Sequence, residues 1–321
     1  MMLGALLSWL RRLEALELSS QIAMDEPVLK FVDCPGAVAV HRMAYWQWGD
    51  PSCGHIILCV HGLTRQGRDF DSLARALVTA AGDEICVVCP DVAGRGHSDW
   101  LKQAHEYQIP VYASDMLALV ARLQPRQLDF VGTSMGGLIG IVIAGQPSVL
   151  GQLGIGRLVL NDVGPTMEWA ALQRIGQYVG KPTVFDSAEQ AAAALWQIAK
   201  GFGPHTPQQW LALTLPNLRP VSDRSGRLTL HYDPALGEPF QASTPEDVAR
   251  GEAMLWQFYD QIKASTLLIR GAESDLLSHE TAEAMTRRGP CARLVEFPGV
   301  GHAPTFVPPE QARVVVDFLL A

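Results

Sequence analysis

Leu128-Asp-Phe-Val-Gly-Thr-Ser134-Met-Gly-Gly-Leu-Ile-Gly-Ile-Val-Ile-Ala144 is the stretch whose reading decides the fold. Its first four residues form a short apolar run of the kind that makes a buried strand, and Met135 to Ala144 carry a helical pattern. Between them, Gly132-Thr-Ser134-Met-Gly136 matches G-x-S-x-G. A strand that turns this sharply into a helix strains the central residue, so the positions two either side of it must lack bulk. The turn lifts the serine hydroxyl above the sheet and aims the free N–H groups and dipole of the helix at it. Such a pentapeptide also occurs as an ordinary tight turn. The strand–turn–helix setting favours Ser134 as a nucleophile.

Outward from this point, short apolar runs recur with helical patterns between them. After a β-rich start (Val38 to Trp48), the runs are His55–Val60, Ile85–Cys89, Leu128–Val131, Arg157–Leu160, Thr266–Ile269 and Arg293–Phe297. Helical patterns cover Asp69–Ala80, Val111–Leu123, Met135–Ala144, Glu280–Arg288 and Pro309–Leu320. Runs that are apolar throughout fit strands covered on both faces, so the expected fold is α/β, a doubly wound and mostly parallel sheet. The alternation breaks between Leu160 and Thr266, where helical segments such as Ser187–Lys200 and Pro245–Tyr259 are divided by Gly/Pro punctuation and show no strand pair. This reads as a helical cap inserted after the sixth strand. The expected organisation is an N-terminal amphipathic extension (1–27), a core made of 28–164 and 261–321, and a cap over 165–260.

Composition excludes several classes. With 25 Lys and Arg against 33 Asp and Glu, the net charge is −8 and no basic stripe stands out, so nucleic acid is not an expected partner. Cys86 and Cys89 form a C-x-x-C, but on a strand residues three apart face opposite ways, so they read as small buried hydrophobes. No cluster with metal-ligand spacing stands out, and neither a metal nor another cofactor is expected. The apolar start, Met1 to Leu10, is followed rather than preceded by Arg11 and Arg12, unlike a signal peptide, and is too short to span a bilayer. Leu6, Leu7, Leu10, Leu13 and Leu16 fit a short amphipathic helix. The expectation is a cytoplasmic protein without stable membrane insertion.

A serine hydroxyl needs a base, and the base an orienting acid. His302, in Pro298-Gly-Val-Gly-His302-Ala-Pro, follows the last strand on a glycine-flexed loop and is the candidate base. For the acid, Asp275 follows the penultimate strand in Arg270-Gly-Ala-Glu-Ser-Asp275 and is preferred; Asp162, directly after Leu160, is its main rival, with a turn or anchoring role as its alternative reading. Negative charge on a carbonyl oxygen also calls for waiting backbone donors. The N–H groups of Met135 and of Leu63, in His61-Gly-Leu63-Thr, occupy the expected places; His61 itself reads as a brace for that loop and Arg95 as a loop anchor. Among the cap aromatics, Trp169, Phe202, Trp210 and Trp256 are the candidates to line an apolar pocket, although most such residues serve packing.

Taken together, His61-Gly62, Asp91-x-x-Gly94-Arg95-Gly96-x-Ser98, Gly132-x-Ser134-x-Gly136-Gly137, Asp275 and Gly301-His302 resemble the α/β-hydrolase fold family over about residues 28–320. His61-Gly-Leu-Thr-Arg-x-Gly-Arg-Asp-Phe and Asn-Asp-Val-Gly-Pro are similar to a bacterial group of such hydrolases whose members are esterases, some of them active on polyesters. Haloalkane dehalogenases and epoxide hydrolases of the same family carry an aspartate where this chain has Ser134. The resemblance implies a serine carboxylesterase and leaves its acyl and alcohol parts open; the aromatic-rich cap points to a small-molecule substrate among uncharged, hydrophobic or short-to-medium acyl esters, with polyesters as a further option. The same groups would also serve lactones, thioesters or carrier-protein esters, and the carbon–carbon bonds of diketones. A catalytically silent, ligand-binding member of the fold would be expected to lack one of the three groups.

Overall fold

A computed structural model describes residues 26–223 and 225–321. The chain begins with an antiparallel hairpin of β1 (Val28–Cys34) and β2 (His41–Trp48), in which Cys34 faces His41. The β-rich start thus begins ten residues before Val38, and residues 35–40 are its turn. There follow β3 (His55–Val60), α1 (Asp71–Ala81), β4 (Cys86–Pro90), α2 (Ile109–Leu123), β5 (Gln127–Thr133), α3 (Met135–Ala144) and β6 (Arg157–Asn161). The segment after β6 carries α4 (Trp169–Gly176), β7 (Val184–Phe185), α5 (Ala188–Ile198), α6 (Pro207–Thr214), β8 (Leu218–Pro220), β9 (Leu228–Leu230), α7 (Gly237–Ala242) and α8 (Pro245–Gln261). β10 (Ser265–Gly271), α9 (His279–Arg287), β11 (Arg293–Phe297) and α10 (Pro309–Leu319) complete the chain. The expected N-terminal helix around Leu6–Leu16 lies outside the described residues.

Eight strands form one sheet in the order β1-β2-β4-β3-β5-β6-β10-β11, antiparallel as far as β4 and parallel from there on. The reason lies in the side-chain alternation of the central strands. On β3, Ile56, Leu58 and Val60 enter one apolar cluster with Phe130, Met116 and Ile139, while Ile57 and Cys59 enter a second with Val131, Leu73, Leu77 and Val315. Both faces are therefore apolar and both are covered by helices, which makes the sheet doubly wound. Cys86 belongs to the first cluster and Cys89 to the second, so the C-x-x-C thiols point to opposite faces.

The segment between β6 and β10 departs from the expectation of an all-helical insertion. β7, β9 and β8 form a small antiparallel sheet of two- and three-residue strands, too short to leave an alternating pattern in the sequence. Two of its helices start at capping boxes, Thr206 with Gln209 and Thr244 with Asp247. Among the described residues no helix is long and apolar enough to cross a membrane.

Candidate active site

Ser134 sits between β5 and α3 with φ 52° and ψ −117°, a backbone conformation that non-glycine residues rarely adopt. The turn is possible only because its flanks are bare. A Cβ on Gly132 would lie 2.4 Å from the Gly136 carbonyl oxygen, and one on Gly136 would lie 2.0 Å from that of Val60. The Ser134 N–H donates to the Asn161 carbonyl at 3.0 Å, which ties the turn to the end of β6.

His302 lies on the loop between β11 and α10. Its Nε2 is 2.9 Å from Ser134 Oγ and its Nδ1 is 2.8 Å from Asp162 Oδ2. Asp162 is fully buried and is the first residue beyond β6, with φ 55°. Its carboxylate is held on both oxygens: Oδ1 accepts from the Gly271 N–H at 2.8 Å, and Oδ2 accepts from Ser274 Oγ at 2.6 Å as well as from His302. Three strand ends thus converge on one carboxylate.

The expectation placed on Asp275 is corrected by this arrangement. Asp275 does not reach His302; its Oδ2 accepts from Arg174 Nε at 3.0 Å and Nη2 at 2.6 Å, and both side chains are about half exposed. The reason is the path of the chain after β10. The turn at Gly271–Ser274 points one backbone N–H and one hydroxyl at Asp162, and Asp275 follows on the outer side. Asp162, the rival, takes the position.

The loop after β3 is braced from below. His61 is fully buried, its Nε2 accepts from the Val92 N–H at 2.9 Å and its Nδ1 lies 2.7 Å from the Gly62 carbonyl. Those contacts select the neutral tautomer with the proton on Nδ1, and burial pushes the imidazole down to about 3. Arg95 is fully buried too. It donates to the carbonyls of Leu63 at 2.8 Å and Ala93 at 2.6 Å, reaches Met135 Sδ at 3.3 Å, and stacks 4.9 Å from the Tyr112 ring centre. One guanidinium therefore fixes both residues expected to supply backbone N–H groups, Leu63 and Met135. Met135 opens α3, so its N–H has no partner within the helix.

A cleft of about 1090 Å³, counted to its open mouth, lies over Ser134 and His302. Its walls are mainly aliphatic and aromatic: Ile175, Val179, Leu195, Ile198, Leu213 and Phe306 among them. Of the four aromatic residues expected to line a pocket, Phe202 and Trp210 do so, packed edge to face at 6.0 Å. Trp169 and Trp256 do not line it. Trp256 instead donates to Thr166 Oγ1 at 2.9 Å and stacks under Arg288, so it fastens α8 in place. Sequence reasoning missed Arg174 and Tyr178, which also line the cleft, since a single Arg on a short helix and a single Tyr in the turn after it leave no motif.

One further cluster has metal-ligating atoms. Cys34 Sγ, a His41 ring nitrogen and an Asp115 oxygen lie within 4.8 Å of one another, all buried, and none of the three lines the cleft. His41 Nε2 pairs with Asp115 Oδ2 at 3.0 Å, and burial pushes the Cys34 thiol far above its usual range. The protonated thiol and the His–Asp pair fasten the β1–β2 hairpin to α2.

Comparison with known proteins follows the same lines. The model of the alpha/beta hydrolase family matches residues 57–318, most of the chain. The chain belongs to that family. It is 49% identical over 293 residues to the 3-hydroxybutyrate-oligomer hydrolase of Cupriavidus necator, covering 91% of this chain and 97% of that protein. Together with the family, this makes the chain an ester-acting hydrolase. Among solved structures, an alpha/beta hydrolase from Novosphingobium aromaticivorans is 32% identical with a TM-score of 0.76, covering 92% of this chain and 98% of that one. A putative hydrolase from Rickettsia typhi is 28% identical with a TM-score of 0.78, covering 92% and 99%.

Proposed function

We propose that this hydrolase cleaves the ester bonds of short hydroxyacid oligomers, 3-hydroxybutyrate oligomers above all, through an acyl-enzyme on Ser134. The observation that carries the reading is His302 bridging Ser134 Oγ at 2.9 Å and Asp162 Oδ2 at 2.8 Å beneath an apolar cleft. The near-full-length likeness to an oligomer hydrolase supports the substrate class.

In this reading Ser134 Oγ attacks the ester carbonyl as His302 Nε2 takes its proton. The tetrahedral oxyanion lies against the N–H groups of Leu63 and Met135. The carbon–oxygen bond to the leaving hydroxyacid then breaks, and His302 returns the proton to that oxygen. Water, deprotonated by His302, attacks the acyl-enzyme, and the acid leaves with Ser134 restored. Asp162 holds the His302 ring with Nε2 facing the serine and stabilises the imidazolium formed in each half-reaction. The segment 165–260 acts as a cap whose Phe202 and Trp210 shape the acyl side of the cleft.

The test is a product analysis of 3-hydroxybutyrate trimer with the wild-type chain and with Ser134→Ala, beside a panel of p-nitrophenyl esters, lactones, thioesters and polyester film. Conversion of trimer to dimer and monomer that disappears in Ser134→Ala supports the reading. Turnover of lactones or thioesters with the trimer left intact overturns the substrate class.

A further inference from the structure

Two arginines line the cleft among the described residues, and they are held very differently. Arg65 is locked. Its Nε and Nη2 meet the two oxygens of Asp69 at 2.5 and 2.8 Å, and Nη2 also donates to the Leu213 carbonyl at 3.0 Å. Both partners of that pair are largely shielded from solvent. Arg174, near the end of α4, is 42% exposed and its carboxylate partner, Asp275, is 53% exposed. Both N–H groups of Arg174 converge on a single oxygen, Asp275 Oδ2. That is short of the two-oxygen fork that guanidinium and carboxylate geometry favour. An exposed pair of this kind contributes little to stability and is readily exchanged.

A hydroxyacid oligomer has apolar ester repeats, a hydroxyl at one end and a carboxylate at the other. An apolar cleft suits the repeats but offers nothing to the charged end, which must stay hydrated or meet a cation. We propose that Arg174 is a carboxylate subsite at the cleft mouth, where the free acid end of the oligomer displaces Asp275 and takes the guanidinium through both oxygens. Tyr178, four residues further on, lines the same wall. Asp275 is then a placeholder. It keeps Arg174 paired while the cleft is empty and, half exposed, returns to solvent when another carboxylate takes its place, so the guanidinium is paired in both states. This inference rests on the oligomer reading above and makes the enzyme selective for chains with a free acid end.

The experiment compares 3-hydroxybutyrate trimer as the free acid with its methyl ester, and reads the ratio of the two kcat/KM values. Because both substrates meet the same enzyme sample, loss of folded protein cancels from the ratio. Arg174→Gln is expected to lower the ratio about tenfold, the scale of one charge-assisted pair. Asp275→Asn, which removes the competitor, is expected to raise it by about threefold through a lower KM for the acid with kcat held. A merely structural ion pair would lower activity on both substrates in both variants and leave the ratio fixed. Cleavage of both substrates with an invariant ratio overturns the subsite and leaves the oligomer reading standing. Failure of the wild-type chain to cleave either substrate while it turns over p-nitrophenyl butyrate overturns both.

Discussion

Asp162 Oδ2 lies 2.8 Å from His302 Nδ1 although 140 residues separate the two in the chain. The contact is made by adjacency in the sheet. β6 lies between β5, which leads into Ser134, and β10, whose following turn supplies the Gly271 N–H and the Ser274 hydroxyl to the same carboxylate. A residue one step past β6 is therefore central among the strand ends that carry the site.

Replacing Asp162 by Asn keeps the shape but no longer favours the Nδ1–H tautomer of His302. In a comparable triad that change costs about 10⁴-fold in kcat, and a loss of that order is expected here. Steady-state kinetics on a neutral p-nitrophenyl ester should show Asp162→Asn losing at least a hundredfold more than Asp275→Asn. Equal losses would contradict Asp162 as the residue that orients His302.

Gly136→Ala tests the turn rather than the chemistry. The added Cβ would fall 2.0 Å from the Val60 carbonyl oxygen, a backbone atom that cannot swing aside. Expected outcomes are a drop in thermal stability and loss of labelling at Ser134 by a fluorophosphonate probe. A stable, fully labelled variant would show that the turn has slack.

Arg95 acts through others. Arg95→Met removes the donor to the Leu63 and Ala93 carbonyls and the contact to Met135, so the loop after β3 proposed to hold the oxyanion loses its anchor. Two buried carbonyls without a donor cost about 2–4 kcal/mol of stability. If Leu63 drifts as expected, kcat falls about tenfold or more while KM moves less, since the lost interaction belongs to the transition state. A change in KM alone would place Arg95 outside oxyanion stabilisation.

Acid stability should follow the buried histidines. Burial pushes His61 down to about 3, and burial with help from His97 takes His231 to about 4. In the unfolded chain each takes up a proton as pH falls below about 6.5, while in the folded chain neither does until much lower pH. Their folded values are depressed, so the stability they confer is present above pH ~6.5 and is lost as pH falls toward ~4, by about 1.4 kcal/mol per pH unit for each group. His41, held up by Asp115, acts only above pH ~6.5, whereas Asp91, pushed up by burial to about 6, takes up its proton in the folded chain first and offsets one group's worth of the slope below that pH. Denaturant unfolding between pH 7 and 4.5 should show the decline, and His61→Gln should flatten it by one group's worth. An unchanged slope in that variant would mean that His61 carries a proton in the fold.

The parts of the molecule that were legible in the sequence are those written locally. A strand, a bare-flanked turn and an apolar helix stand consecutively around Ser134, and the apolar runs of β3, β4 and β5 follow from burial on both faces. The place of His302 beside Ser134 is legible because its glycine-flanked loop directly follows β11. The acid was a different matter. Asp162 and Asp275 both lie beyond neighbouring strands and both satisfy the order serine, acid, histidine, so the choice turned on how the Gly271–Ser274 turn is folded. That is set by hydrogen bonds from Gly271 and Ser274 to Asp162 itself, which no spacing encodes. The aromatic residues of the insertion divided for a similar reason. Phe202 and Trp210 face the cleft and Trp256 is turned to Thr166, although all three look alike as apolar bulk in a helical stretch. The strands β7, β8 and β9 were invisible because two or three residues have no period.

The central claim is an acyl-enzyme on Ser134 that His302 and Asp162 form and resolve. The most direct measurement is peptide mass spectrometry after rapid acid quench of the wild-type enzyme during its first turnovers of 3-hydroxybutyrate trimer. The account predicts a hydroxybutyryl group, one or more units long, on the peptide containing Ser134, absent from Ser134→Ala. Trimer cleavage that continues in Ser134→Ala, or an acyl group found on any other residue, would contradict it.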